Sequence, residues 1–226
     1  MSTAGVRPRA SGVRDGGTAP RLILASSSPR RRELIERLGL AFDVVPADVD
    51  ESPMPGEAPG AMALRLAEAK ALAVAHVRPD ALVIGSDTIV VVDGAVLGKP
   101  EDEEEAVRML LRLEGRGHRV ETGIAVVAPP SAGGKVARVA SSTVGVDVRF
   151  RSFDEEFARV YVRTGEPLDK AGAYGIQGYG SALVERIDGD YFAVMGLPVT
   201  RMLRHIEELG WGYRFADGLK ALGARH

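Results

Sequence analysis

The stretch at positions 21–39, RLILASSSPRRRELIERLG, decides how the chain folds. RLILAS reads as a buried strand, and PRRRELIERLG carries its apolar residues at helical spacing. Pro29 suits a first helical position, Ser28 the cap before it, and Gly39 the end. A strand that passes into a helix through a short loop of small residues leaves free N–H groups at the helix start, where the macrodipole favours an anion. Three arginines at that end oppose the dipole. They make sense as a solvated basic surface, or as the guanidinium half of a phosphate site. SSSPRR lacks the glycines and the Gly-Lys-Ser/Thr ending of a P-loop.

Outward from that unit, strands and helices alternate. Positions 41–51, AFDVVPADVDE, read as an extended segment ending in acids. An Ala-rich helix follows and stops before Pro79. ALVIGSD reads as a buried strand, and TIVVVDGAVLGKP as a hairpin turning at Asp93-Gly94. EDEEEAVRMLLRLEG is a helix with acids in its first turn, and DEEFARVYVRTG a helix capped by Asp154. Between them run two long strands joined by a Pro/Gly loop. A Gly-rich region, PLDKAGAYGIQGYGS, leads to short strands around Asp188–Asp190, then to a last helix with Pro198 near its start. Interleaved elements with hairpins imply an α/β protein with a mixed sheet. Residues 1–20 read as a disordered tail, and 213–226 as a tail of weak period.

Composition narrows the function classes. The 226 residues carry a net charge of −2 and 5% aromatics, which disfavours nucleic acid and anionic membranes as partners. There is no cysteine, hence no disulfide or thiolate metal site. The four histidines have no zinc spacing, and no Ser-His-Asp arrangement is implied. No apolar run reaches membrane-spanning length, and the first twenty residues lack a secretory h-region.

Chemistry can sit at several places. Asp87, just past an apolar strand, either caps a turn or serves as a metal ligand or proton acceptor. Lys99 follows a hairpin strand. In the Gly-rich region Gln177 offers a donor and an acceptor, as reading a base edge requires. ADVDE could hold a metal through Glu51, although acids before a Pro-rich loop are ordinary.

The segments LASSSPRR, GSDTIVVVDGAVLGKP, LDKAGAYGIQG and GLPV occur here in one order, and from about Leu22 to Leu209 the chain resembles the Maf family of nucleoside triphosphate pyrophosphatases. The resemblance implies a twisted mixed sheet flanked by helices, with a central substrate cleft of the Maf/inosine-triphosphatase-like kind, over a domain at 21–212. It implies hydrolysis between the α- and β-phosphates, with Mg²⁺ or Mn²⁺. In AGAYGIQG the chain resembles the branch that prefers dTTP and UTP. On this match Asp87 is the proton acceptor, and Arg30, Thr88 and Gln177 set base specificity. Phosphate would fall to Ser26, Arg31, Lys70, Lys99 and Lys170, and the metal to Glu51 and Asp87. Ser27 and Tyr179 depart from the common pattern. The expected partner is a small nucleotide, a homodimer is allowed, and the expected location is cytoplasmic. The alternative reading is a nucleotide-binding regulator of septum formation.

Overall fold

A computed structural model describes residues 20–130 and 136–222. The tail expected at 1–20 lies, but for Pro20, outside the described residues, as does the middle of the Pro/Gly loop. Strand β1 (Arg21–Leu24) leads into helix α1 (Pro29–Arg37), then a two-residue strand β2 (Asp43–Val44). Helix α2 (Pro59–Val77) precedes the hairpin of β3 (Ala81–Val92) and β4 (Ala95–Leu97). Helix α3 (Glu103–Leu113), the long strands β5 (Gly117–Ala128) and β6 (Arg138–Phe150), and helix α4 (Glu155–Val162) follow. Strand β7 (Val184–Asp188), helices α5 (Tyr191–Val194) and α6 (Val199–Glu208), and a small hairpin, β8 (Trp211–Arg214) with β9 (Gly218–Ala221), complete it.

Seven strands form one mixed sheet in the order β2-β1-β3-β5-β6-β7, with β4 also on β3. β2, β1 and β3 run parallel, and the remaining pairs are antiparallel. The mixed α/β architecture expected from the sequence is therefore present. The Asp93-Gly94 turn is also as expected: both residues have positive φ, 51° and 75°, as a two-residue hairpin of matching twist requires.

Three expectations are corrected. ALVIGSD and TIVVV are one continuous strand, β3, so Asp87 lies within a strand and not past its end. Only two residues of the segment at 41–51 pair as strand. After Asp188 the chain forms helix α5, not a strand, because the Asp190 carboxylate accepts the Phe192 N–H and starts a turn.

The sheet's two faces are covered differently. Helix α2 covers one face, packing Ala67, Ala71 and Val74 on Ile23, Val83 and Ala125. The approach is close because the sheet offers glycine beneath it. A Cβ at Gly85 would lie 2.3 Å from the Ala67 carbonyl oxygen, and one at Gly123 would lie 2.1 Å from that of Ala63. The other face carries two separate apolar cores. One joins α1 and α6 to Leu24, Ile84 and Ile124, and the other joins α3 and α4 to Val90, Val120 and Phe150. Between them, on the same face, the strands present Ser86, Thr88 and Thr122. A polar stripe thus crosses the sheet between two hydrophobic halves.

Candidate active site

The stripe meets a gap in the sheet. On one side β3 pairs with β5 over Val83–Val91. On its other side it pairs with β1 only through Ile84 and with β4 only from Val90. Residues 85–89 have no strand partner there, and the start of α1 lies across the opening. Ser28 occupies the position before α1 without a side-chain cap. Instead its N–H donates to Ser26 Oγ at 3.2 Å.

Arg31 fills the stripe's open end. Its Nε donates to the Gly196 carbonyl at 2.8 Å, one terminal nitrogen to Ser26 Oγ at 3.1 Å, and the other to Thr88 Oγ1 at 3.4 Å. Burial lowers the guanidinium's pKa, as does neighbouring Arg30, while the charges of Asp87 and Glu51 act against this. The hydroxyls behind it have a fixed direction. Thr122 lies 2.8 Å from the Ala193 carbonyl, which can only accept, so Thr122 donates there. Thr88, 3.1 Å away, then donates to Thr122 and receives from Arg31. Ser86 Oγ lies 2.8 Å from the carbonyls of both Gly123 and Gly196, so its single proton serves one of them at a time or is shared between them.

On the α2 face of the same gap, Lys70 donates to Asp87 Oδ1 at 2.6 Å and pairs with Glu51 Oε1 at 2.6 Å. Lys70 is buried on α2, and the glycine contact between helix and sheet is what brings it within reach of β3. Asp87 Oδ2 receives no hydrogen bond among the described residues. Burial alone would raise the Glu51 carboxyl, but the hydrogen bond and charge of Lys70, with Lys99 and Arg31, bring it below its ordinary value. Two carboxylates on one ammonium are hard oxygen donors already arranged around a cation, which suits Mg²⁺ or Mn²⁺ completed by phosphate oxygens. No group of three or more metal-type ligands occurs among the described residues.

The Gly-rich loop closes the third side. Gly172 N–H donates to the Gly98 carbonyl at 2.9 Å, tying the loop beside Lys99. Arg30 lies 3.7 Å from Asp169 Oδ2, and Lys170 lies 2.5 Å from Asp169 Oδ1. Gln177 opens a short 3-10 turn, Gly178–Ala182, just after Ile176, which packs in the α1/α6 core. Lys99 is exposed and has no ion-pair partner among the described residues.

The structure therefore brings Ser26, Arg31 and Thr88 together through direct bonds, and Glu51, Lys70 and Asp87 likewise. Arg30 and Lys170 meet on Asp169, and Lys99 acts on Glu51 through charge. Gln177 is joined to the cluster through its loop alone. Lys70 is committed to two carboxylates. Sequence reading missed Thr122, Ser86, Asp169 and the carbonyl of Gly196, although GLPV contained the last.

Residues 21–209 match the family described as Maf: Maf-like protein. The chain belongs to the Maf family. Curated relatives agree along nearly their whole length. One from Moorella thermoacetica is 51% identical over 84% of this chain and 93% of its own. One from Pelotomaculum thermopropionicum is 48% identical over 84% of this chain and 97% of its own. One from Aquifex aeolicus is 43% identical over 84% and 95%. Each is named dTTP/UTP pyrophosphatase. Among the described residues no helix is long and apolar enough to cross a membrane. One further row of hydrogen bonds lies away from the gap: His205 stands between Ser142 Oγ at 2.8 Å and Glu208 Oε2 at 2.9 Å, a buried histidine with both ring nitrogens partnered.

Proposed function

We propose that this Maf protein hydrolyses dTTP and UTP to the monophosphate and pyrophosphate. The observation that carries the reading is Asp87: one carboxylate oxygen is pinned by Lys70 while the other has no hydrogen-bond partner among the described residues, within range of the Arg31 charge. In the reaction a water oxygen bonds to the α-phosphorus, the α–β anhydride bond breaks, and pyrophosphate leaves with the bond's electron pair. Asp87 Oδ2 accepts the water's proton, and Lys70 holds the carboxylate oriented for that task. Arg31 presents a planar cation whose place is set by three oxygens. Arg30, Lys99 and Lys170 add positive charge around the phosphates.

Glu51 and Asp87 are the residues that would hold a divalent cation, which when bound neutralises phosphate oxygens and stabilises the charge of the transition state. Arg30, Thr88 and Gln177 select the base. The Gln177 amide carries a donor and an acceptor side by side, a match for the adjacent carbonyl and imide N–H of uracil or thymine. We infer a cytoplasmic location, where free nucleotides would be the available substrate.

The deciding experiment is pyrophosphate release with Mg²⁺ or Mn²⁺ across a panel of canonical and modified triphosphates, scored by kcat/KM. dTTP and UTP should lead the panel. Absence of release from either, with binding retained, would leave a nucleotide-binding regulator as the reading.

A further inference from the structure

Glu166 lies in the turn after α4 and has no part in the chemistry above. Its carboxylate accepts three hydrogen bonds. Tyr179 N–H donates to Oε2 at 2.8 Å, and Gly180 N–H and the Tyr161 hydroxyl both donate to Oε1 at 3.0 Å. The Tyr161 oxygen in turn accepts the N–H of Gly175 at 3.1 Å. The Glu166 carbonyl accepts from the Lys170 ammonium. One residue thus holds the backbone at Tyr179 and Gly180 directly, and at Gly175 through Tyr161. Gln177 lies between those anchors.

The packing around this carboxylate is tight. Gly178 has φ of +61°, and a Cβ there would lie 2.5 Å from Glu166 Oε2. A Cβ at Gly180 would lie 2.0 Å from the Gly175 carbonyl oxygen and 2.7 Å from the Tyr161 hydroxyl. Both glycines are needed for the chain to fold around the carboxylate. The loop lacks a strand ladder to fix it, so beyond the packing of Tyr174 and Ile176 in the cores its path around Gln177 depends on these few bonds. Burial raises the Tyr161 phenol well above its ordinary pKa and keeps it a donor.

We propose that Glu166, acting with Tyr161, is a positioning residue that fixes the backbone on both sides of Gln177 and thereby sets base discrimination. The inference rests on the reading that Gln177 contacts the base. A glutamine at 166 keeps the volume but turns an NH₂ group toward donors, so at least one anchor is lost.

The test is a double-mutant cycle on the full chain. kcat/KM is measured for UTP, dTTP, CTP and GTP in the parent, in Glu166→Gln, in Gln177→Ala and in the double variant. Glu166→Gln should reduce the UTP-to-CTP preference about tenfold, chiefly through KM for UTP. In the Gln177→Ala background the same change should leave the preference where it was. An unchanged preference in folded Glu166→Gln, or an equal loss in both backgrounds, overturns the proposal. Should Glu166→Gln not fold, Tyr161→Phe decides, since it removes only the Gly175 anchor; it should lower the preference by a smaller factor, and an unchanged value overturns the proposal. If Gln177→Ala alone leaves the preference intact, the base-reading role fails, and this inference with it.

Discussion

Lys70 and Asp87 form a partly buried pair, 2.6 Å apart, that joins helix α2 to the middle of the longest parallel strand. The pair exists because two glycines let the helix settle on the sheet. It also divides the carboxylate's work, one oxygen for orientation and one for the proton.

Asp87→Asn keeps the shape and removes the base. Turnover should fall at least a hundredfold, a size typical of general-base removal, with nucleotide affinity in the absence of metal nearly unchanged. Pyrophosphate release measures the first and equilibrium binding the second. Full residual activity refutes the assignment.

Arg31 spends three nitrogens on three separate oxygens, and lysine has one. Arg31→Lys should therefore raise KM about tenfold or more while the fold survives. Steady-state kinetics with a thermal melt check both parts. An unaltered KM would mean that the fork is not what matters.

Gly123→Ala puts a methyl group onto the backbone of α2. Overpacking of this kind costs about 1–3 kcal/mol, more where backbone must move. Because α2 also carries Lys70, activity should fall further than the lost stability explains. Urea unfolding beside kcat at a temperature where the variant is folded separates the two.

His118 predicts a pH dependence. The ring is buried, its Nε2 is 2.8 Å from the Tyr174 hydroxyl, and Nδ1 has no partner. Burial lowers its pKa to about 4, against 6.5 for an exposed ring. Below pH 6.5 the unfolded chain takes up a proton that the folded chain refuses. Stability is thus full above that pH and declines as pH falls toward 4, by at most roughly 3 kcal/mol. Melts across that window should show the parent losing stability relative to His118→Phe as pH falls from 6.5 toward 4.

Local signals were legible where one residue type forces one geometry. Pro59 and Pro79 bracket α2, Asp93-Gly94 makes the hairpin, and Asp154 caps α4, where it accepts the Phe157 N–H. The middle of β3 misled because GSDT reads as a break. Gly85 is there for α2, and Ser86 and Thr88 for the stripe, so tertiary demands overrode strand propensity. Among the site residues, most of the charged ones could be named in advance. Thr122 and the Gly196 carbonyl could not, since the contact from Arg31 to Gly196 spans 165 positions and nothing local marks it. Glu166 was equally silent in a turn where acids are common.

The stretch of β3 at 85–89 lacks a second strand partner, and such an edge would template pairing between molecules if it were open, yet most of it is buried. Arg31 is wedged against Thr88 there, so the side chain that suits an anionic substrate also plugs an edge along which the protein could stick to itself. Arg31→Ala should therefore cost soluble yield as well as catalysis.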